Sequence, residues 1–453
     1  MLQVHALTLT ETARGIRERK LSPVVLVEAS LARIDRLDGT IRAWAAVDRA
    51  GAQRAAAELD REAHDGRFRG PLHGVPVGIK DIFYTAGLKT AAGSKVLAGL
   101  VPHYDAEAVA RLKRAGAIVL GKLATAEFAF ADAPATRNPW NTEHSPGGSS
   151  SGSGAAVAAR MCHAAIGSQT LGSTIRPASY CGIVGMKPTF GRVSRYGMLA
   201  LAPSLDHVGI FARSVADTAV MLQALAGQDS RDAASWAVAT GDYLFSASQV
   251  ARPPQIAVMP KAFDDRADDD TRAAVVDALG KLAKAGARIE AVDEPPSLAR
   301  TRESALAVLG AEAAEVHRER FAEKKDLYGP KLSEFLERNS NMQACEYIRA
   351  LEVQRCFRQE IDRVLVRFDV ILTPATPAPA PAGIESTGDP SFNLPWSLSG
   401  HPVVSLPCAL GPSRLPISIQ LTGTTLEEGR LLNVARWCEQ VFGFDELPDP
   451  APF

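Results

Sequence analysis

Apolar positions along the chain follow two different periods, which alternate from one segment to the next. Residues 8–36 repeat apolar side chains at helical spacing, with a break at Ser22-Pro23, where serine suits a helix cap and proline a first helical position. Residues 45–64 form a second, alanine-rich helical segment. By contrast, "GVPVGIKD" is a short apolar run bounded by glycine, which predicts a buried strand ending at Lys80. This alternation is typical of an α/β fold.

The same alternation continues to the end of the chain. "AEAVARLKRAGAIVLGKL" predicts a helix, a glycine turn and a strand, and "SLDHVGIFARSVADTAVMLQALAG" predicts a strand and a helix. Residues from about 229 to 360 are charged and mainly helical, with "PPQIAVMP" as one strand inside them. "FDVILTPATPAPAPAG" then predicts a buried strand and a proline-rich turn, and a helix over 425–441 closes the chain.

Composition narrows the class of protein. The 453 residues are 46% hydrophobic and 22% charged, which is ordinary for a globular chain with a sizeable core. The net charge is −1 with lysine and arginine spread throughout, so no basic stripe favours nucleic acid or a membrane surface. Six cysteines without CxxC or metal-like spacing suit reduced thiols. With no signal-peptide pattern and no apolar run of membrane-spanning length, we expect a soluble cytoplasmic protein.

Two serine- and glycine-rich stretches carry the candidate chemistry. "PGGSSSGSGAAVAA" leads into a small-residue helix, and "GSQTLGSTIRPASYCG" follows shortly after it. Glycines in such loops let backbone N–H groups converge on one point, as an oxyanion hole requires. A serine at the same place would supply the attacking oxygen once a base removes its proton.

The motifs alone do not decide which residue removes the proton from the attacking serine. Residues 148–152 match the G-x-S-x-G nucleophile elbow, which normally works with histidine. That motif must follow a buried strand, whereas the polar, turn-forming "WNTEHSPG" precedes it here. The other candidate is Lys80. Either its ammonium reaches water while its stem packs, or burial lowers its pKa enough for it to act as a base.

Several long motifs together resemble the amidase signature family. They are "GVPVGIKD", "PGGSSSGSGAAVAA", "GSQTLGSTIRPASYCGIVGMKPTFGRVSRYG" and "LTPATPAPAP". The resemblance covers nearly the whole chain and implies one α/β domain over 1–453, with a mixed, twisted sheet covered by helices on both sides. Its signature core would span about 65–225, its mainly helical insertion about 229–360, and its C-terminal return to the sheet about 366–453.

The resemblance also implies the catalytic residues. Lys80 would be the base, Ser149 the bridging serine after a cis peptide bond, and Ser173 the nucleophile. The oxyanion hole would be formed by the backbone N–H groups of Thr170, Leu171, Gly172 and Ser173. The chemistry requires no metal and no organic cofactor. The commoner family loop reads DTGGS, whereas this chain has QTLGS, so Gln169 replaces an acidic residue. That departure counts against a subunit of a tRNA-dependent amidotransferase.

Two charged residues in these motifs are expected to lie away from the chemistry. Arg176 should pair with a loop carbonyl or an acid rather than with substrate. Asp81 follows Lys80 on the strand and should point to the opposite face. We therefore expect no carboxylate close enough to Lys80 to hold it charged.

The family's acyl pocket would come from "EFAFADAPATRNPW", residues 305–350 and "GDPSFNLPWSLSGHP". The residues expected to contact substrate are Phe128, Phe130, Phe392, Trp396, Ser150 and Gln169. We expect an amidohydrolase that cleaves an apolar or aryl carboxamide through an acyl-enzyme, releasing ammonia or an amine. A urea-type hydrolase for biuret- or allophanate-like compounds, and a glutaminase-type component of an amidotransferase, are the alternatives. The partner is a small-molecule amide, and a homodimer is left open.

Overall fold

The computed structural model describes residues 4–249, 252–264 and 266–448. Within these ranges the strands are β1 (Trp44–Val47), β2 (Pro76–Lys80), β3 (Ile118–Leu123), β4 (Ala164–Gln169), β5 (Val184–Lys187), β6 (His207–Ala212), β7 (Gln255–Val258), β8 (Arg288–Ala291), β9 (Val370–Pro374), β10 (Val403–Leu410) and β11 (Pro416–Thr422). They form one sheet in the order β1-β3-β2-β4-β6-β5-β10-β11-β9-β7-β8.

Helices surround this sheet. They are α1 (Leu9–Arg17), α2 (Pro23–Ile41), α3 (Arg49–His64), α4 (Glu107–Arg114), α5 (Ser151–Ala158), α6 (Ile175–Tyr180), α7 (Val215–Leu225), α8 (Tyr243–Ser248), α9 (Pro260–Asp264), α10 (Asp269–Lys284), α11 (Thr301–Lys324), α12 (Pro330–Asn339), α13 (Ala344–Leu365), α14 (Leu394–Ser399) and α15 (Glu428–Phe442). Ser22 caps α2 and Pro23 opens it, as the sequence predicts. In the described ranges, no helix has the length and apolar character needed to cross a membrane.

The sheet is mixed and covered on both faces. Strand β2 runs parallel to β3 and β4. Each neighbouring pair in the series β4-β6-β5-β10-β11-β9 is antiparallel. Strand β7 is parallel to both β8 and β9. Along β4, Ala165 packs in the apolar core that contains α2, α3 and α5, whereas Ile166 packs in the core that contains α7, α10 and α15. Successive side chains of a strand point to opposite faces, so helices cover both. The predicted single α/β domain is confirmed.

The segment 229–360 contains strands as well as helices. It contributes β7, which matches the strand predicted in "PPQIAVMP", and also β8 at the sheet edge. The four residues of β8 are exposed or half-buried and alternate charged with apolar side chains. A short edge strand of this kind lacks the apolar run by which buried strands are recognised. The insertion therefore extends the sheet.

The sheet register brings the candidate residues to one edge. Ile79 of β2 pairs with Ile166 of β4, and these strands are parallel. Their carboxyl ends therefore meet, with Lys80 as the last residue of β2 and Ser168 near the end of β4. In α/β sheets, ligands bind outside the carboxyl ends of the strands.

Candidate active site

Lys80 is completely buried at the end of β2. Its Nζ lies 2.8 Å from Ser149 Oγ and 2.8 Å from Ser168 Oγ, within hydrogen-bond distance of both. Ser149 precedes α5, whereas Ser168 belongs to β4. One amine therefore joins three segments that are far apart in the sequence.

The surroundings of Lys80 favour its neutral form. Burial lowers the pKa of Lys80 well below its ordinary value, and the charge of Asp206 opposes this effect without overcoming it. Asp81 lies elsewhere, with its Oδ1 3.1 Å from the buried Lys122 Nζ and its Oδ2 accepting from the Ala91 N–H at 3.1 Å. Asp81 thus pairs away from Lys80, as expected, but Asp206 is a carboxylate that the sequence did not place near this amine.

The loop before α5 holds Ser149 through its backbone. The Gly148–Ser149 peptide bond is cis, as the resemblance implies. Arg176 donates to the Gly148 carbonyl at 2.7 Å and to the Gly388 carbonyl at 2.8 Å, which agrees with its expected role as a partner of loop carbonyls. The Ser149 carbonyl accepts from the Ala126 N–H at 3.0 Å. The backbone is therefore held on both sides of Ser149, and the side chain of Ser149 is completely buried.

Ser150 uses its hydroxyl within the protein. Its Oγ accepts from the Ser168 N–H at 3.2 Å and donates to the Ser168 carbonyl at 3.2 Å. The side chain is completely buried, so the structure gives no support to its expected contact with substrate. Ser150 instead ties the start of α5 to β4, the strand that presents Ser168 to Lys80.

Sequence reasoning missed Ser168. Its only local signal is a polar residue near the end of the short strand predicted in "AAIG". Ser168 could have been found only as a buried hydroxyl on the strand next to β2, which ends in the buried Lys80. Recognising it requires the pairing of β2 with β4, and the apolar pattern of one segment does not predict that pairing.

Residues 170–173 lie in the loop between β4 and α6. No residue in the described ranges accepts a hydrogen bond from the backbone N–H groups of residues 170–173. Ser173 is 6% exposed, and its hydroxyl has no hydrogen-bond partner among the described residues. The Ser149–Ser173 step of the predicted relay, and the oxyanion hole, therefore remain predictions.

The buried side chain of Gln169 stabilises this loop through hydrogen bonds. Its Oε1 accepts from the N–H groups of Thr174 and Ile175 at 2.9 and 3.0 Å. Its Nε2 donates to Ser397 Oγ at 3.0 Å, and Ser397 in turn donates to the Leu171 carbonyl at 2.8 Å. A carboxamide can accept and donate at once, whereas a carboxylate can only accept. The glutamine therefore serves the loop, and its completely buried side chain is not free for the expected substrate contact.

A second set of hydrogen bonds holds Thr170, the first residue of the loop. Thr170 Oγ1 donates to Asp206 Oδ1 at 2.6 Å. The other carboxylate oxygen accepts from the N–H groups of Leu201 and Ala202 at 2.8 and 3.0 Å. Burial raises the pKa of Asp206 to about 6, although these hydrogen bonds oppose the change.

The aromatic residues expected to line a pocket lie in two places. Phe392 and Trp396 are completely buried and pack against Phe263 with ring centroids 5.0 and 6.4 Å away, so they belong to the core. Phe128 is buried and Phe130 half-buried, and both contact aromatic side chains of the helical insertion, with centroids as close as 4.7 and 4.6 Å. Those partners are His317, Tyr328 and Phe335.

Comparison with known proteins places this geometry in a family. The family model described as Amidase matches residues 25–432. The chain belongs to the amidase family. It is 38% identical to a glutamyl-tRNA(Gln) amidotransferase subunit of Anaeromyxobacter dehalogenans strain 2CP-C, over 98% of this chain and 97% of that protein. The same subunit from Carboxydothermus hydrogenoformans is 35% identical over 97% of this chain and 98% of that protein.

Solved amidase-family structures share the whole fold. The peptide amidase of Stenotrophomonas maltophilia matches with a TM-score of 0.87 and 31% identity, over 98% of this chain and 99% of that one. A protein from a vestigial complex, described as revealing the evolutionary origins of an s-triazine catabolic enzyme, matches with a TM-score of 0.91 and 31% identity, over 98% and 99%. The chain is therefore an amide-cleaving hydrolase of this family.

Proposed function

We propose that this amidase cleaves its carboxamide with Ser173 as nucleophile, Ser149 as proton bridge and Lys80 as base. The observation that carries the proposal is the buried Lys80 amine 2.8 Å from Ser149 Oγ. A buried lysine whose pKa is lowered is neutral over a wider pH range and accepts a proton there. Ser173 lies on the neighbouring loop at the same edge of the sheet.

The reaction follows from these roles. Ser173 Oγ attacks the carbonyl carbon as its proton passes to Ser149 and the Ser149 proton passes to Lys80. The oxyanion accepts hydrogen bonds from the free N–H groups of residues 170–173, where loss of one such donor typically costs about 10²–10³-fold in rate. The C–N bond then breaks, and Ser149 returns a proton to the leaving nitrogen. Water cleaves the acyl-enzyme with Lys80 again as base.

The proposed substrate is a primary carboxamide of the glutamine type, which releases ammonia. Relatives at 34–38% identity along nearly their whole length are named as amidotransferase subunits. Gln169 does not count against this assignment, because its amide is taken up by Thr174, Ile175 and Ser397. The aryl-amide expectation loses support because Trp396 is buried in the core.

A urea-type amide is the second candidate. It is favoured by the similarity, at a TM-score of 0.91, to the protein described in connection with an s-triazine catabolic enzyme. Both candidates place a small polar amide against Ser173, and they differ in the acyl group.

The test is ammonia release by the purified chain from L-glutamine, biuret and benzamide. We expect the highest kcat/KM for glutamine and complete loss of release in Ser173→Ala. A preference for biuret would support the second candidate, and a preference for benzamide would contradict both. Ammonia release that survives Ser173→Ala would contradict the assigned nucleophile. Ser150→Ala is the matched control, since it removes a neighbouring hydroxyl outside the proposed relay.

A further inference from the structure

Asp206 lies where two paired strands end beside the proposed catalytic loop. Gln169, the last residue of β4, pairs with His207, the first residue of β6. Thr170 and Asp206 are the next residues beyond this pair, and their side chains form the 2.6 Å hydrogen bond described above. Strand β4, which places Ser168 beside Lys80, therefore leads directly into the hydrogen bond between Thr170 and Asp206.

Asp206 is not hydrogen-bonded to Lys80, and its carboxylate acts on the amine through its charge. Its charge raises the pKa of Lys80 against the larger effect of burial. Arg195 lowers the pKa of Asp206, and this arginine is itself 2.6 Å from Asp232. Burial lowers the pKa of His207 well below the ordinary value and so disfavours its charged form. The remaining charged group in the cavity that Asp206 faces is Arg231, which pairs with Asp229 and Glu107.

We propose that Asp206 is a positioning residue for hydrolysis, which holds the oxyanion loop through Thr170 and favours proton uptake by Lys80 through its negative charge. The proposal rests on the proposed function, because it concerns the proton that passes from Ser173 through Ser149. As Ser173 attacks, the buried amine of Lys80 becomes a cation. The negative charge of Asp206 stabilises that cation, whereas its hydrogen bond to Thr170 affects only the position of the loop.

The experiment uses phenylmethanesulfonyl fluoride, so that it does not depend on the natural substrate. Ser173 Oγ forms the bond to sulfur, the S–F bond breaks with loss of fluoride, and the serine proton passes through Ser149 to Lys80. The rate of labelling is measured against pH for the wild type, Asp206→Asn and Thr170→Val. Both variants are nearly isosteric, and only the first removes the charge.

We expect Asp206→Asn to move the midpoint of the rising limb to lower pH, because Lys80 loses a charge that raises its pKa. Thr170→Val should keep the wild-type midpoint and lower the plateau rate by roughly tenfold, because the loop is misplaced but the charge remains. Thr170→Ser keeps the hydroxyl and should recover most of that plateau.

A wild-type midpoint in Asp206→Asn would overturn the proposal. If that variant does not fold, Asp206→Ser removes the same charge and carries the same expectation. Labelling of a residue other than Ser173 in the wild type would contradict the proposed function itself, and the role of Asp206 would fall with it. The two failures are therefore distinguished by where the label lies and by how its rate depends on pH.

Discussion

Replacing Gln169 by leucine should loosen the loop that carries Ser173. The change removes the acceptor for two buried backbone N–H groups, those of Thr174 and Ile175, and the donor to Ser397. A buried polar group left without a partner costs about 1–3 kcal/mol, so two of them cost roughly 2–6 kcal/mol of unfolding free energy. Because Ser397 also holds the Leu171 carbonyl, the rate of labelling at Ser173 should fall as well.

Gln169→Glu is the matched variant, since it has the same shape and keeps the acceptor for both N–H groups. It loses the donor to Ser397 and adds a carboxyl group whose charged form the two N–H groups stabilise, so we expect it to cost less than the leucine variant. The assay is urea unfolding followed by circular dichroism, with the labelling rate measured on the same samples. Equal unfolding free energies for the leucine and glutamate variants would refute the reasoning, because the side chain would then not be holding the loop through those acceptors.

Three further predictions concern single groups. Ser173→Ala should abolish amide hydrolysis with the fold intact by circular dichroism, whereas Ser150→Ala should retain most of the rate; equal losses would revive the nucleophile elbow. Lys122→Met should cost roughly 3–5 kcal/mol in urea unfolding because it leaves Asp81 buried without its partner, and adding Asp81→Asn should recover much of this; an unchanged midpoint would contradict the pairing. The wild-type rate should rise with pH through a Lys80 pKa well below its ordinary value, and Lys80→Arg should be inactive at every pH because guanidinium keeps its proton; an active variant would show that only charge is needed.

The sequence predicted those parts of the molecule that are encoded locally. The apolar run before Lys80 is short, continuous and bounded by glycine, and it forms β2 with every residue buried. The helix beginning at Pro23 was equally visible, because the cap and the first turn are adjacent in sequence. The resemblance of the long motifs then placed Lys80 and Ser149 in one site, and the structure shows these two within hydrogen-bond distance.

The parts that were missed depend on pairing between distant segments. Ser168 contacts Lys80 because β2 and β4 are neighbours, and Asp206 reaches Thr170 because β4 pairs with β6. No local pattern reports either pairing. Trp396 shows the converse: an aromatic residue in a loop-like segment was expected at a pocket, but it is completely buried, which is the commoner place for so large an apolar surface.

The central claim is that Ser173, and none of the serines at positions 149–151, forms the covalent intermediate. The most direct measurement is peptide mapping by tandem mass spectrometry after reaction with phenylmethanesulfonyl fluoride, in the wild type and in Lys80→Arg. The account predicts a single adduct on Ser173 in the wild type and no adduct in the variant. An adduct on Ser149, Ser150 or Ser151, or equal labelling of Ser173 in Lys80→Arg, would contradict it.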